Sequence, residues 1–256
     1  MRELSGMDAV KVSWTPSVST ALTLARLAGS GHRAAGSDPW RNGWLAKWDQ
    51  RGEDWATGLV AAQAAGQSAF FGMHGQQTLG EAWLLYGEAG LGRRSPELIS
   101  PANPSRPFGL LPEGPRRAVW LMGAAYTFDN GQSMHAEWLH DGAGYTRSES
   151  DAYFARAAVS SLQAGMALGN APRLLNRNYL HLVWQSSLVA EEGYARLMFT
   201  RNLDGGGYEL GGYAERNLNG RIAAFALAVA TSGSARSEFN ALFSRALTVG
   251  LKLALP

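Results

Sequence analysis

The chain has 256 residues, of which 46% are hydrophobic and 17% are charged, with 31 glycines, 9 tryptophans and no cysteine. The charged fraction is low for a soluble protein, and the absence of cysteine excludes disulfides and thiolate metal sites. A net charge of +2, without clusters of Lys and Arg among aromatics, gives no indication of a nucleic-acid partner. No run of about eighteen apolar residues is present, so no transmembrane helix is predicted.

From Val10 onward, apolar and polar residues alternate in segments of about ten residues, which places the apolar side chains on one face of a strand. Residues 1–8 precede this pattern and lack the apolar core and cleavage site of a signal peptide. We predict about thirteen strands, which span residues 10–15, 19–28, 44–49, 55–65, 70–74, 79–89, 118–128, 133–145, 178–188, 194–203, 208–217, 221–231 and 246–255.

Two kinds of connection join these strands. Short, glycine-rich ones predict tight hairpins, most strongly at residues 129–131 (Asp-Asn-Gly) and also at residues 75–77 (Gly-Gln-Gln). The others are long and polar, and residues 92–115 contain six prolines that cannot donate into a ladder. The long connections span residues 29–43, 92–115, 146–176 and 232–240.

Part of the connection at residues 146–176 has the pattern of one short helix. Ser150 is the expected N-cap, Asp151 lies in the first turn, and Gly169 is expected to end the helix. Two placements of residues 150–169 are open, one in which they fold into a barrel mouth and narrow it, and one in which they lie on neighbouring loops. We slightly favour the constriction.

The long connections all follow even-numbered strands, and every connection after an odd-numbered strand is short. In an antiparallel meander this sorts the long loops to one end of the sheet, as in bacterial outer-membrane barrels. The last strand fits the same pattern, since Leu247, Val249, Leu251 and Leu253 alternate with small or polar residues over the length that a tilted strand needs to cross a bilayer.

With this loop order, strand period and final strand, the chain resembles the Gram-negative outer-membrane β-barrel superfamily, the porins and their transport relatives. The chain ends in Leu255-Pro256 where that superfamily usually has an aromatic residue. The resemblance implies an all-β fold, an antiparallel up-and-down transmembrane β-barrel. It also implies a bacterial outer-membrane location, with the lipid bilayer and the outer-membrane insertion machinery as partners.

We expect residues 1–256 to form a single β-barrel domain. Bacterial barrels normally have an even number of strands that start in the periplasm, whereas the predicted first strand starts on the external side. We therefore expect this to be the C-terminal part of a barrel of fourteen or more strands, whose N-terminal strand or strands and signal peptide precede it.

In a barrel with lipid outside, the polar side chains of each strand face the lumen. This rule assigns both signs of charge to the lumen, while the seventh strand stays ambiguous because both of its faces are apolar. Such side chains either tune which solutes pass or pair with one another across strands, and both interpretations remain open. The predicted lumen-facing residues are Lys11, Lys47, His135, Glu137, Asp141, His181, Gln185, Arg196, Glu209, Tyr213, Glu215 and Lys252.

The sequence gives little indication of catalysis. His135 and Glu137 share a strand face and have the chemistry of metal ligands, but a lumen hydrogen bond is the commoner role for such a pair. His32 and His74 stand alone, no Ser has a His and an acid at a known family spacing, and the glycines at 205–207 lack a phosphate-loop lysine. We therefore predict no catalytic, cofactor or metal site and no enzyme activity.

Three functions are compatible with these patterns. The first is a porin-like outer-membrane channel that passes small hydrophilic solutes or exports a polymer through a charged lumen, as a monomer, as a homo-oligomer or with a periplasmic partner. The second is an outer-membrane barrel enzyme, or a barrel that serves as a structural scaffold for a periplasmic partner. The third is a soluble all-β binding protein, which would bury its apolar faces against each other.

Overall fold

The computed structural model describes residues 8–28, 42–64, 67–94, 96–171, 174–187, 193–234, 236–240 and 244–253. Within these ranges the chain forms fifteen strands, two α-helices and one 3-10 turn. The elements are β1 (Asp8–Ser17), β2 (Thr20–Ala28), β3 (Gly43–Arg51), β4 (Trp55–Ala64), β5 (Phe70–Leu79), β6 (Trp83–Gly92), β7 (Glu97–Ile99), β8 (Gly109–Leu111), β9 (Arg117–Thr127), β10 (Ser133–Asp141), α1 (Arg147–Val159), α2 (Ser161–Asn170), β11 (Asn178–Gln185), β12 (Gly193–Asn202), β13 (Gly207–Asn219), β14 (Ile222–Ser232), the 3-10 turn Glu238–Asn240 and β15 (Arg245–Leu253).

Thirteen of the strands form one antiparallel sheet in the order β1-β2-β3-β4-β5-β6-β9-β10-β11-β12-β13-β14-β15. The predicted meander and the predicted number of strands are therefore confirmed. The short strands β7 and β8 pair only with each other and form a small hairpin between β6 and β9. In the described part of the chain, β1 and β15 each pair with one neighbour, so the sheet is open and has two free edges.

The antiparallel order divides the connections between two ends of the sheet. The end that carries the connections after β2, β6, β10 and β14 is called here the long-loop end, and the opposite end, with short turns, is the turn end. Within the described residues, no helix is both long and apolar enough to cross a membrane.

The main hydrophobic cluster lies outside the sheet, between two long connections at the long-loop end. Leu98 and Phe108 from the β7–β8 hairpin pack against Ala167 of α2, with Tyr153 and Met166 around them. We call the described residues of 93–116 and 142–171 the cap. Among the described elements, only the 3-10 turn packs against strands of the large sheet, at β13 and β14, so both faces of this sheet lack a covering layer there.

The predicted hairpin at residues 75–77 was wrong. β5 runs through these residues, with Gly75 opposite Gly87 in the ladder, and the chain turns at Gly80 instead. Gly80 has a φ of +62°, a backbone conformation that glycine adopts at little cost. The turn therefore forms at Gly80 and not at the first glycine of the segment.

The prediction of one helix with Ser150 as its N-cap was also wrong, since there are two helices and the first begins after Thr146. Glu149 completes a capping box, because its carboxylate accepts a 2.8 Å hydrogen bond from the backbone N–H of Thr146 while its own N–H bonds the Thr146 hydroxyl. Ser160 has extended backbone and separates the helices by capping α2. Gly169, the predicted helix end, lies within α2.

Candidate functional site

The ladder register assigns the side chains of the thirteen-stranded sheet to two faces. On one face, called the apolar face, hydrophobic side chains continue across the whole sheet, as where Leu182 and Phe199 lie opposite each other. They are strongly exposed, with 62% of Met122 and 52% of Leu197 accessible. The exposed hydrophobic residues of this face include Val12, Trp14, Leu24, Trp44, Leu59, Met73, Leu85, Met122, Trp138, Leu182, Leu197, Leu210, Leu247 and Val249.

The opposite face, called the polar face, carries the twelve residues predicted to line a lumen. By register, all twelve belong to this face, from Lys11 on β1 to Lys252 on β15. The register also resolves the ambiguous seventh strand, β9, whose Trp120 and Met122 lie on the apolar face and whose Leu121 lies on the polar face. That these residues line an aqueous lumen stays a prediction.

A hydrogen bond on the polar face joins two strands that are not neighbours. Tyr86 on β6 donates a 2.6 Å hydrogen bond to the carboxylate of Glu137 on β10. Gly123 of the intervening strand β9 lies between them in the ladder, and a Cβ atom there would be 2.4 Å from the Tyr86 ring. The phenol reaches Glu137 because this position has no side chain.

The histidines predicted for this face have separate partners. His181 lies opposite Glu137 in the ladder, and its Nδ1 is 2.8 Å from the hydroxyl of Thr200. The Nε2 of His135 is 3.3 Å from the hydroxyl of Ser133. His135 and Glu137 thus bond different groups and do not converge on one point. In the described ranges, no group of three His, Cys, Asp or Glu side chains is placed to hold a metal ion.

Three predicted residues come together at the turn end of β13 and β15. The Lys252 ammonium donates to the phenol oxygen of Tyr213 at 2.8 Å and to the carboxylate of Glu215, which also accepts a hydrogen bond from Tyr213. The ammonium also lies 5.8 Å from the ring centroid of Phe225. Each of the three polar groups is satisfied by the other two, so this cluster ties β13 to β15 across β14.

The remaining predicted residues do not join this cluster. Gln185 accepts a 3.3 Å hydrogen bond from Tyr194, and Arg196 lies opposite Gln185 and Tyr213 in the ladders. Glu209 lies opposite Thr200. Lys11 is exposed on β1, and eleven strands of the sheet lie between it and Lys252 on β15.

A second charged group lies on β3 to β6 and was largely missed by the sequence analysis. Lys47 pairs with Asp49 at 2.8 Å, and the Nε2 of His74 is 3.5 Å from the same carboxylate. Gly58 separates Asp49 from His74 in the ladder, and a Cβ there would be 2.5 Å from the imidazole. Glu88 follows His74 on the next strand. Asp49 lies two residues after Lys47 on β3 and therefore on the same face of the strand. The alternation in the sequence was sufficient to predict this position on the polar face.

The cap contacts the polar face at the strand ends. Arg94 of the cap forms a 2.8 Å ion pair with Asp141, the last residue of β10. Arg117, the first residue of β9, lies 3.5 Å from Glu97 of the cap. Glu97 is only 4% exposed and its second carboxylate oxygen is buried without a hydrogen bond to a described residue. Asp141 is thus a predicted lumen residue that anchors the cap.

A single buried guanidinium, that of Arg156 in α1, organises the interior of the cap. It donates to the Ser100 hydroxyl at 2.8 Å and to the carbonyls of Asn103 at 2.7 Å and Arg106 at 2.5 Å, as well as to the Pro101 carbonyl. Burial lowers the pKa of this guanidinium below its usual value. The proline-rich segment, whose carbonyls have few ladder partners, is held in place by this one side chain.

Two tyrosines complete the cap. Tyr145 is 5% exposed and donates a 2.7 Å hydrogen bond to the carbonyl of Leu98. Burial is the largest cause of the raised pKa of Tyr145, and burial also raises the pKa of Tyr153, because both phenolates would lose hydration. Both phenols therefore stay protonated, and able to donate, at any ordinary pH.

A network of buried polar side chains joins three connections at the long-loop end. The amide of Asn202 donates to Asn176 at 2.7 Å and to Glu238 at 3.1 Å. Glu238, in the 3-10 turn, also accepts from the backbone N–H of Leu175 at 2.8 Å. Asp204 accepts from two consecutive backbone N–H groups, at Arg177 and Asn178. The ends of β11, β12 and β14 are thereby fixed to one another.

Comparisons with known proteins bear on the fold of the chain. No protein-family model matches the sequence, and no curated protein matches it. Among solved structures, the chain is similar to the crystal structure of a double variant of OccD1 (OprD), an outer-membrane porin of Gram-negative bacteria. The match has a TM-score of 0.53 and 10% sequence identity, and covers 94% of this chain and 66% of that chain. The antiparallel meander expected of a porin-like barrel is confirmed as a fold, although the sheet is open in the described part of the chain. The chain spans about two thirds of the length of that structure.

Proposed function

We propose that this chain forms the wall and the cap of an outer-membrane channel. Small hydrophilic solutes diffuse through this channel along the polar face. The observation that carries the proposal is the contrast between the two faces of an uncovered sheet. Leu, Val, Met and Trp side chains are exposed on one face, while the other carries Lys, Arg, Asp, Glu and His. A continuous exposed apolar surface of this extent is unfavourable in water and suits contact with lipid, whereas the charged face suits water.

The likeness to OccD1 (OprD) supports the same proposal, since that protein places a sheet of this architecture in the outer membrane. In the proposal, the bilayer and the solutes are the two partners, and the charged groups of the polar face select among solutes by sign and size. Catalysis has no role in it.

We further propose that the cap narrows the mouth of the channel at the long-loop end. Two ion pairs support this placement, because Asp141 and Arg117 belong to the polar-face side of β10 and β9 and pair with Arg94 and Glu97 of the cap. In this arrangement α1 and α2 lie at the entrance and not on the lipid side. Replacing Arg94 with Ala is expected to loosen the cap and raise conductance.

The test uses the full-length gene product folded in detergent. A closed membrane barrel migrates faster on a gel unheated than boiled, and this protein is expected to show that shift. Its addition to a planar bilayer is expected to produce stepwise increases in ionic current. Protein that dissolves without detergent, shows no shift and gives no current would contradict the proposal and favour a soluble β-protein.

A further inference from the structure

A concave apolar patch interrupts the polar face between β4 and β10. It encloses a cavity of about 300 Å³, at the small end of the range for ligand pockets. Besides Met73, Ala89 and Trp120 of the apolar face, its lining includes five hydrophobic residues that belong to the polar face by register. These five wall residues are Val60, Phe70, Val119, Leu121 and Leu139.

Two glycines form the floor of the patch. A Cβ at Gly90 would be 2.9 Å from the Phe70 ring, and a Cβ at Gly72 would be 3.1 Å from it. The ring therefore lies across the backbone of β5 and β6, and leaves open space beside it. Phe70 is 39% exposed and Val119 is 38% exposed. Contact of this apolar surface with water is unfavourable, and an apolar group of a solute that binds there would release the water that covers it.

The charges that border the patch are paired, with one exception. Towards the turn end, Lys47 neutralises Asp49 at 2.8 Å, and Asp49 also contacts His74. Towards the long-loop end lie the ion pairs Arg94–Asp141 and Arg117–Glu97, and within each pair the two charges neutralise each other. Glu88 lines the cavity, is exposed, and makes no hydrogen bond or ion pair with any residue in the described ranges.

We propose that this patch is a binding subsite for an organic monocation with an apolar body about the size of one aromatic ring. The ammonium group lies at Glu88, and the apolar body fills the space beside Phe70 and Val119. The assignment rests on the proposed function, because it requires the polar face to line the channel. The subsite would bind one chemical class of solute within the channel, in addition to the solutes that diffuse through it.

The experiment measures block of ionic current by phenethylammonium in planar bilayers, with the full-length protein, at a pH of about 8, where an ordinary histidine is neutral. Methylammonium has the charge without the apolar body, and phenylacetate has the ring with the opposite charge. Phenethylammonium is expected to block at concentrations about tenfold lower than either, since both halves of the site contribute only for this probe.

Two substitutions divide the site into its halves. Glu88→Gln keeps size and removes the charge, and is expected to weaken block by phenethylammonium about fivefold. Val119→Thr keeps shape and adds a hydroxyl to the apolar wall, and is expected to weaken block about threefold while leaving methylammonium unchanged. The matched control is Glu209→Gln, which removes the same charge from the polar face on β13, away from the patch.

The outcomes separate this inference from the proposed function. If phenethylammonium blocks selectively and Glu88→Gln weakens the block while Glu209→Gln does not, the subsite is supported. A conducting channel in which both variants weaken block equally, or in which methylammonium blocks as well as phenethylammonium, overturns the subsite alone. A folded protein without conductance overturns the proposed function and the subsite with it.

Discussion

The phenol of Tyr86 bonds the carboxylate of Glu137 at 2.6 Å although a whole strand lies between them. The absence of a side chain at Gly123 makes this contact possible, because a Cβ there would be 2.4 Å from the phenol ring. The same device recurs at Gly58 under His74 and at Gly250 beside Phe225. Some of the glycines in the sheet thus make room for rings on the polar face, apart from any role in turns.

Gly123→Ala is accordingly expected to displace the Tyr86 ring and to lower the free energy of unfolding by about 1–3 kcal/mol, as overpacking does in a close-packed site. The measurement is urea unfolding in detergent, followed by tryptophan fluorescence. Gly220→Ala is the control, since no atom lies within 4 Å of the added Cβ. Equal stability of the two variants would mean that the ring is free to move.

Arg156→Met is expected to release the cap while leaving the sheet folded. The substitution keeps a long side chain but leaves three backbone carbonyls and one hydroxyl without their donor, at a cost of about 2–4 kcal/mol to the cap. Limited proteolysis should then cut within residues 93–116, while the heat-dependent gel shift persists. Arg147→Ala is the control, because Arg147 is exposed on the same helix, and cleavage of both variants alike would contradict the prediction.

The architecture of the sheet could be predicted from the sequence because its signals are local. Alternation, as in Leu247 to Leu253, fixes the face of each residue, and turn residues fix most connections. The wrong prediction at residues 75–77 shows the limit of such signals, since glycine occurs both in turns and within paired strands. Only the ladder shows that Gly75 pairs with Gly87 and that Gly80 has the positive φ.

The twelve predicted site residues share a face because parity is a property of each strand alone. Their partners were not predictable, because each contact depends on the register of two or three strands. His74, which stood alone in the sequence, lies 3.5 Å from Asp49 across Gly58. Packing of the cap was also unpredicted, since Arg156 bonds residues more than fifty positions earlier.

Stability of the cap is expected to fall above a pH of about 10, the usual pKa of tyrosine. Burial raises the pKa of Tyr145, so above that pH the unfolded chain releases a proton that the folded cap retains, and unfolding becomes more favourable. Loss of the proton also removes the donor to the carbonyl of Leu98. The lowered pKa of Arg156 acts in the opposite direction, because the folded cap then releases its proton before the unfolded chain does.

The measurement is the fraction of the cap that is cleaved during a brief proteolysis carried out at a pH of about 8 and at a pH of about 11. Tyr145→Phe should start from a less stable cap and show a smaller further loss at high pH. Tyr208→Phe, which alters an exposed tyrosine on the apolar face, should behave as the unmodified protein. A cap equally protected at both pH values would contradict the predicted link between the raised pKa of Tyr145 and the stability of the cap.

Adjacent residues of β12 offer a direct test of the two faces. Leu197→Arg puts a charge on the apolar face and Met198→Arg puts the same charge on the polar face one residue later. If lipid covers the apolar face, the first variant should lose about 2–4 kcal/mol of stability near the middle of the bilayer, and the second much less. The readout is the fraction that folds into lipid vesicles, measured by the heat-dependent gel shift. Equal folding would mean that neither face meets lipid, whereas greater loss from Met198→Arg would mean that the faces are reversed.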